Sequence, residues 1–188
     1  AKPERENCDG YAYDPEHPSQ HIIDMSENEI EVPEDYTREE LRQDLLCYTS
    51  PVLKEDLVLT GDMTAELYIS SDAPDTDFVV RVTDVDENGR SIKLADGLLS
   101  ARYRNGFARS EFLQEGEIVC LKIRTTKLSN CFRKGHRIRV TVTSSAKNFI
   151  FPNSNTREGF ASARTVVAHN RVYHGGLHAS RLTVRVEP

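Results

Sequence analysis

The stretch MTAELYISS, which runs over Met63–Ser71, is the part of the sequence that decides the fold class. Its apolar side chains fall on every second residue, at Met63, Ala65, Leu67 and Ile69. A period of two places one face of a strand on a core and the other in water, which is typical of antiparallel sheets. The stretch therefore predicts a half-buried antiparallel strand.

The same alternation recurs further along the chain. Clusters of Asp, Asn, Gly and Pro separate the alternating segments, as turns do. Roughly eight or nine short strands at this spacing are typical of a sandwich or barrel. We therefore predict an all-β jelly-roll sandwich, similar to galactose-binding domains, over residues 36–188. Its further strands are predicted within residues 90–103 and at Phe78–Val85, Val119–Ile123, Ile138–Val142 and Leu182–Val186.

The first 35 residues differ from the rest because they are polar and carry four of the eight prolines. We predict that residues 1–35 form an arm that packs along a larger body. The run Thr37-Arg38-Glu39-Glu40 fits a capping box, in which Thr37 caps a free N–H and Glu40 bonds back to the backbone. It predicts one short helix over about residues 37–43.

Composition excludes several classes of protein. The net charge of −6 with both signs well mixed argues against a nucleic-acid partner. The longest apolar runs span a few residues, whereas a membrane helix needs about twenty. No C-x-x-C pair occurs, so no zinc or redox motif and no cofactor is predicted. A Cys120–Cys131 disulfide is the less favoured alternative to free thiols, and a reducing, cytoplasmic setting is expected.

A series of short motifs follows one another in a characteristic order. They are Tyr48–Pro51, Leu67–Phe78, Ala101–Arg104, Gly135–Val140 and Phe151–Pro152 before Asn155–Thr156. In this order the chain resembles the C-terminal domain of the X-Pro dipeptidyl-peptidase and cocaine-esterase (CocE/NonD) family. One departure is Ser100, since the family usually has an arginine before the Ala-Arg-Tyr-Arg run.

The resemblance implies a place within a larger enzyme. Family members are serine hydrolases of α/β-hydrolase fold that cleave acyl-Pro dipeptides, esters or glutaryl amides, and their catalytic residues lie upstream of the jelly roll. This chain has no G-x-S-x-G nucleophile elbow, so we predict no catalytic residue in it and no activity of the chain alone. Its expected partner is the α/β-hydrolase domain in cis, which it would buttress while helping to wall the substrate pocket. A homo-oligomer is left open.

Two other functions remain as alternatives. A β-sandwich of this kind can be a carbohydrate-binding module, although the lack of any tryptophan counts against aromatic sugar platforms. The chain could also be an independent esterase, against which the missing elbow counts.

Two groups of residues are candidates for a site. Asp77 begins a predicted strand, and we expect it to be buried and bonded to an arginine of the Arg102–Arg104 run, either Arg102 or Arg104. Phe149, Phe151 and Phe160, with Tyr103 and Phe107, are candidates for a surface that docks the hydrolase domain or walls its pocket; the alternative is ordinary core and loop aromatics.

No metal site is predicted, although two clusters require comment. The aspartates between Asp72 and Asp86 suit calcium in kind, but they lack the regular spacing and central glycine of a calcium loop. Turn capping and pairing with arginines is the favoured interpretation. His169, His174 and His178 lie around Gly175-Gly176, so they are expected to be loop histidines and not zinc ligands.

Overall fold

The computed structural model describes residues 7–22 and 33–186, and these form strands and loops with only three single turns of 3-10 helix. The all-β prediction is confirmed. The strands are β1 (Cys8–Tyr13), β2 (Leu45–Thr49), β3 (Leu57–Gly61), β4 (Thr64–Ser71), β5 (Asp77–Val85), β6 (Ser91–Ser100), β7 (Val119–Arg124), β8 (Leu128–Phe132), β9 (Arg137–Thr143), β10 (Ala168–Gly175), β11 (His178–Ala179) and β12 (Arg181–Thr183). The turns are Glu39–Leu41, Ala101–Tyr103 and Gly159–Ala161.

All strand pairs are antiparallel, and they form two main sheets. In the first, β1 pairs with β10, and β10 and β12 pair with successive parts of β4, which also pairs with β7. In the second, the order is β2-β9-β5-β6. A separate pair, β3 with β8, completes the structure. Antiparallel neighbours explain the alternation in the sequence, since each main sheet turns one face to a shared core.

The core lies between the two main sheets. From the first sheet, Leu67 and Ile69 of β4 and Leu121 of β7 are buried, and from the second, Phe78 and Val80 of β5 meet them. The β3–β8 pair adds a second apolar cluster. That cluster consists of Leu59, Met63, Val82, Ala95 and Phe132.

Strand β5 is buried on both faces, which is unusual for this fold class. Its outer face carries Arg81, which is 1% exposed, and Thr83. The Arg81 guanidinium carbon lies 3.8 Å from the centroid of the Tyr36 ring, and Thr83 donates a hydrogen bond to the Glu40 carboxylate. The segment before β2 therefore covers the outer face of the second sheet.

A short helix lies within the predicted residues 37–43, but the predicted capping box does not form. Only the 3-10 turn Glu39–Leu41 forms, and its N-cap residue has no side-chain cap bond. The Glu40 carboxylate is buried and accepts hydrogen bonds from Ser91 at 2.8 Å and from Arg139 at 2.5 Å. Because the Glu40 carboxylate pairs with Arg139, it does not make the backbone bond that the capping box requires.

The predicted arm of residues 1–35 contains a strand that belongs to the first sheet. Strand β1 lies within the proposed arm, yet it pairs with β10 along its whole length. Tyr13 is completely buried, and the Tyr11 hydroxyl is hydrogen-bonded to Ser144 at 2.8 Å. The sandwich therefore includes residues 8–13. Near the other terminus, β12 is shorter than the predicted Leu182–Val186 strand.

Two further findings bear on the sequence predictions. All four cysteines are free, including Cys120 on β7 and Cys131 on β8. Among the residues that the structure describes, no helix is long and apolar enough to cross a membrane.

Candidate functional site

A pocket of about 320 Å³ opens at the end of the sandwich where β5 begins and β6 ends. Three segments line it. They are the loop before β5 with the first residue of that strand, the end of β6 with the turn that follows, and the long connection between β9 and β10. The lining residues are Asp75, Asp77, Ser100, Arg102, Tyr103, Phe151, Asn153, Glu158, Gly159 and Phe160.

An ion pair holds the base of this pocket. The Asp75 side chain is 0% exposed, and the Arg102 Nε–H donates to its Oδ2 at 2.7 Å. The backbone N–H of Arg102 donates to Oδ1 of the same carboxylate at 2.9 Å. The two Nη atoms donate to the carbonyls of Arg157 and Thr156 at 3.0 and 2.9 Å. One side chain thus ties together all three segments.

Asn153 links this pair to a second carboxylate. Its Nδ2 donates to Asp75 Oδ2 at 2.7 Å and to Asp77 Oδ1 at 2.9 Å. Burial raises the pKa of Asp77 above its usual range; hydrogen bonds from Ser100 and Asn153 oppose this, and the charge of Asp75 adds to it. The pocket therefore contains two buried carboxylates close enough to share one amide.

The structure corrects the predicted partner of Asp77. Asp77 is buried as expected. The Arg102 guanidinium, however, pairs with Asp75, whereas Asp77 accepts a hydrogen bond from the neutral amide of Asn153. Arg104 does not enter the pocket cluster either. Its Nη1 donates to the carbonyls of Ala101 and Glu111, and so it holds the loop that follows the turn.

The rim of the pocket is aromatic. Phe151 and Phe160 are 80% and 73% exposed, and their rings stack with centroids 6.0 Å apart and planes at 24°. Phe149, by contrast, stacks on His21 at 5.0 Å. Phe107 packs on Tyr103, with ring centroids 5.4 Å apart. Of the predicted docking residues, the structure brings Phe151 and Phe160 together and places Phe149 elsewhere.

The other aspartates of the acidic cluster, Asp72, Asp84 and Asp86, have separate partners. Asp72 accepts from His169 Nδ1 at 2.7 Å, and Asp84 is bonded to His136 Nδ1 at 2.9 Å. Asp86 accepts from two backbone N–H groups of its own turn. Across residues 7–22 and 33–186, no three His, Cys, Asp or Glu side chains are arranged to hold a metal ion.

The three histidines that lie close together in the sequence also have separate partners in the structure. His169 bonds Asp72, and His174 lies 3.1 Å from the Asp9 carboxylate. His178 packs against the rings of Tyr68 and Tyr173. His136, just before β9, also bonds an aspartate, Asp84, through its ring.

Sequence reasoning missed Asn153, and it did not single out Asp75 within the acidic cluster that it expected to cap turns and pair with arginines. Asp75 falls within a run of turn-forming residues, so its burial has no local signal. The segment Asn153–Thr156 is polar throughout, which predicts a solvated loop. All four of its residues are buried, because they pack between β1 and the Arg102 turn.

Comparisons with known proteins agree on one family. The family model described as the X-Pro dipeptidyl-peptidase C-terminal non-catalytic domain matches residues 3–183. The cocaine esterase of Rhodococcus sp. (strain MB1 Bresler) is 35% identical over 188 residues, which cover 96% of this chain and 32% of that protein.

Solved structures show the same fold. An aminopeptidase from a marine sediment Thaumarchaeota archaeon has a TM-score of 0.90 at 24% identity, over 98% of this chain and 34% of its own. An α-amino acid ester hydrolase has a TM-score of 0.89 at 23% identity, over 96% and 32%. The chain thus spans about a third of the length of each of these three relatives.

Proposed function

The chain belongs to the family of X-Pro dipeptidyl-peptidase C-terminal non-catalytic domains, and from this premise we propose that it acts as part of a longer serine hydrolase of peptides or esters. In that protein it buttresses an α/β-hydrolase domain in the same chain and helps to wall the acyl-substrate pocket. The family assignment does not favour a carbohydrate-binding module.

The observation that carries this proposal is the exposed Phe151–Phe160 pair. Two stacked aromatic rings in water are costly, and aromatic residues are enriched in protein interfaces. The pair stands beside the Asp75–Arg102 ion pair, which holds the connection beneath it. A fixed apolar projection of this kind is suited to dock a neighbouring domain.

The arrangement of serines and histidines supports a non-catalytic role. Ser144 is bonded to the Tyr11 hydroxyl and accepts a hydrogen bond from Asn170 at 2.9 Å. Its neighbour Ser145 donates to Ser19. The rings of His136 and His169 bond Asp84 and Asp72 and not these serines. We therefore expect no hydrolysis of a chromogenic ester by this chain alone.

A pair of exposed-residue variants tests the docking surface in the complete hydrolase. Replacing Phe151 and Phe160 with serine should separate the unfolding of the sandwich from that of the catalytic domain and lower kcat/KM. Central aromatic contacts in interfaces are each worth about 2 kcal/mol or more. Leu177→Ser is the matched control, since Leu177 is 86% exposed in the β10–β11 hairpin.

Calorimetry and steady-state kinetics decide between the outcomes. The double variant of this chain alone should unfold as the wild type does, because both rings are exposed in it. If the complete hydrolase with both serines behaves like the Leu177→Ser control, Phe151 and Phe160 are not the docking surface.

A cytoplasmic location is proposed as well, supported by the four free thiols.

A further inference from the structure

The pocket at the end of the sandwich holds more buried negative charge than its own arginine balances. Arg102 forms a short ion pair with Asp75. Asp77, 6% exposed, is bonded to an uncharged amide, and Arg102 acts on it only at longer range. Within the described residues, Asp77 has no ion-pair partner within 4.0 Å. A buried carboxylate without a counter-charge is costly, and this one faces an open pocket.

The remaining charges of the pocket have the same sign. Glu158 lines it as well, and a hydrogen bond from Thr156 lowers the pKa of its carboxyl group. The neighbouring Arg157 is not a lining residue, and its guanidinium lies 4.5 Å from the centroid of the Phe112 ring, which Arg102 approaches at 5.1 Å. Arg164 acts on Glu158 from outside the lining. Three carboxylates and one guanidinium therefore line the pocket.

The aromatic rim adds a second feature that suits a cation. A guanidinium or ammonium group over an aromatic face is attracted by the electrons of the ring. Phe151 and Phe160 both line the pocket and stack at its mouth. Guanidinium suits this setting better than ammonium, because it is planar, stacks on rings and bonds a carboxylate through two N–H groups.

We propose that this pocket binds an arginine side chain that projects from the catalytic domain. The guanidinium bonds Asp77 and lies against the stacked Phe151 and Phe160 rings at the mouth of the pocket. The choice of the catalytic domain as donor rests on the proposed docking function and on the length of its relatives outside this domain. The preference of the pocket for a cation over a neutral group of the same shape does not depend on that function.

The cation preference is tested on this chain with Nα-acetyl-arginine amide as the probe. Nα-acetyl-citrulline amide has nearly the same shape and no charge, so it is the matched ligand. NMR titration should show shifts at the Asn153 side-chain amide and at the Phe151 and Phe160 rings. Arginine should bind about fivefold tighter than citrulline, the effect expected of one partly exposed cation–π and carboxylate contact.

Two variants locate the binding. Asp77→Asn keeps the shape and should remove most of the difference between arginine and citrulline, whereas Asp72→Asn, which alters a carboxylate bonded to His169, should leave it unchanged. Ser100→Arg should abolish arginine binding, because Ser100 lies opposite Asp77 in the β5–β6 register and an arginine there reaches the carboxylate from within. Thermal melts show that each variant is folded.

The outcomes separate this proposal from the docking function. Equal affinity for arginine and citrulline, or a difference that survives Asp77→Asn, overturns the cation site and leaves the Phe151–Phe160 docking surface untouched. In the complete hydrolase, Ser100→Arg should also weaken the coupling between domains. If the probe binds this chain as expected but Ser100→Arg leaves that coupling intact, the catalytic domain is not the source of the arginine.

Discussion

Replacing Arg102 with alanine should destabilise the domain by about 3–5 kcal/mol, the cost of breaking a buried ion pair from one side. The variant removes the bond to Asp75 at 2.7 Å and the bonds to the carbonyls of Thr156 and Arg157. Asp75 is completely buried, so its carboxylate would lose its counter-charge without gaining water. For a domain of this size, that loss lowers Tm by about 6–20 °C.

Differential scanning calorimetry and urea unfolding measure the effect. The matched control is Arg109→Ala, because Arg109 also pairs with a carboxylate but is 83% exposed, and it should unfold as the wild type does. Replacing Asp75 together with Arg102 should cost less than the sum of the single changes, since no unpaired carboxylate remains. If Arg102→Ala is as stable as Arg109→Ala, the Asp75–Arg102 pair does not organise this end of the sandwich.

Three other changes give distinct expectations, each measured by urea unfolding. Gly97→Ala should cost about 1–3 kcal/mol, because the added Cβ would lie 2.4 Å from the Arg124 carbonyl oxygen; wild-type stability would contradict this close approach. Arg81→Met should be neutral or stabilising by up to about 4 kcal/mol, because the buried guanidinium under Tyr36 has no hydrogen-bond partner in the described part of the chain; a large loss would reveal a partner. The raised pKa of Asp77 means that the folded protein keeps this proton to higher pH than the unfolded chain does, so stability falls as pH rises from the usual value of 3.8 through the folded pKa. Asp77→Asn should therefore gain stability relative to wild type as the pH rises above 3.8, and a difference that stays constant with pH would refute the raised pKa.

The fold could be predicted because its main signal is local. In β4, Ala65, Leu67 and Ile69 are buried and the residues between them are half-buried, as the alternation indicates. The same reasoning fails for the outer face of β5. Arg81 and Thr83 resemble residues of a wet face, yet Tyr36 and the Glu40 turn cover them. Their cover comes from a segment some forty residues away, which periodicity cannot report.

The site was predicted only in part, because register decides which side chains meet. Asp77 is the first residue of β5 and lies opposite Ser100. Arg102 lies two residues after Ser100, in a turn of 3-10 helix, and this turn places its guanidinium against Asp75. A shift of two residues thus exchanges the partner of the arginine. The acidic loop and the arginine run were recognisable in the sequence, but their pairing needed the turn geometry.

The same turn connects stability to the proposed docking. The bonds from Arg102 to the carbonyls of Thr156 and Arg157 fix the connection that carries both Phe151 and Phe160. A docking surface that is already ordered loses little conformational entropy when its partner binds. Loss of Arg102 should therefore weaken docking in the complete hydrolase even though its side chain lies beneath the rim. That effect should exceed any caused by Arg104, whose bonds stay within its own loop.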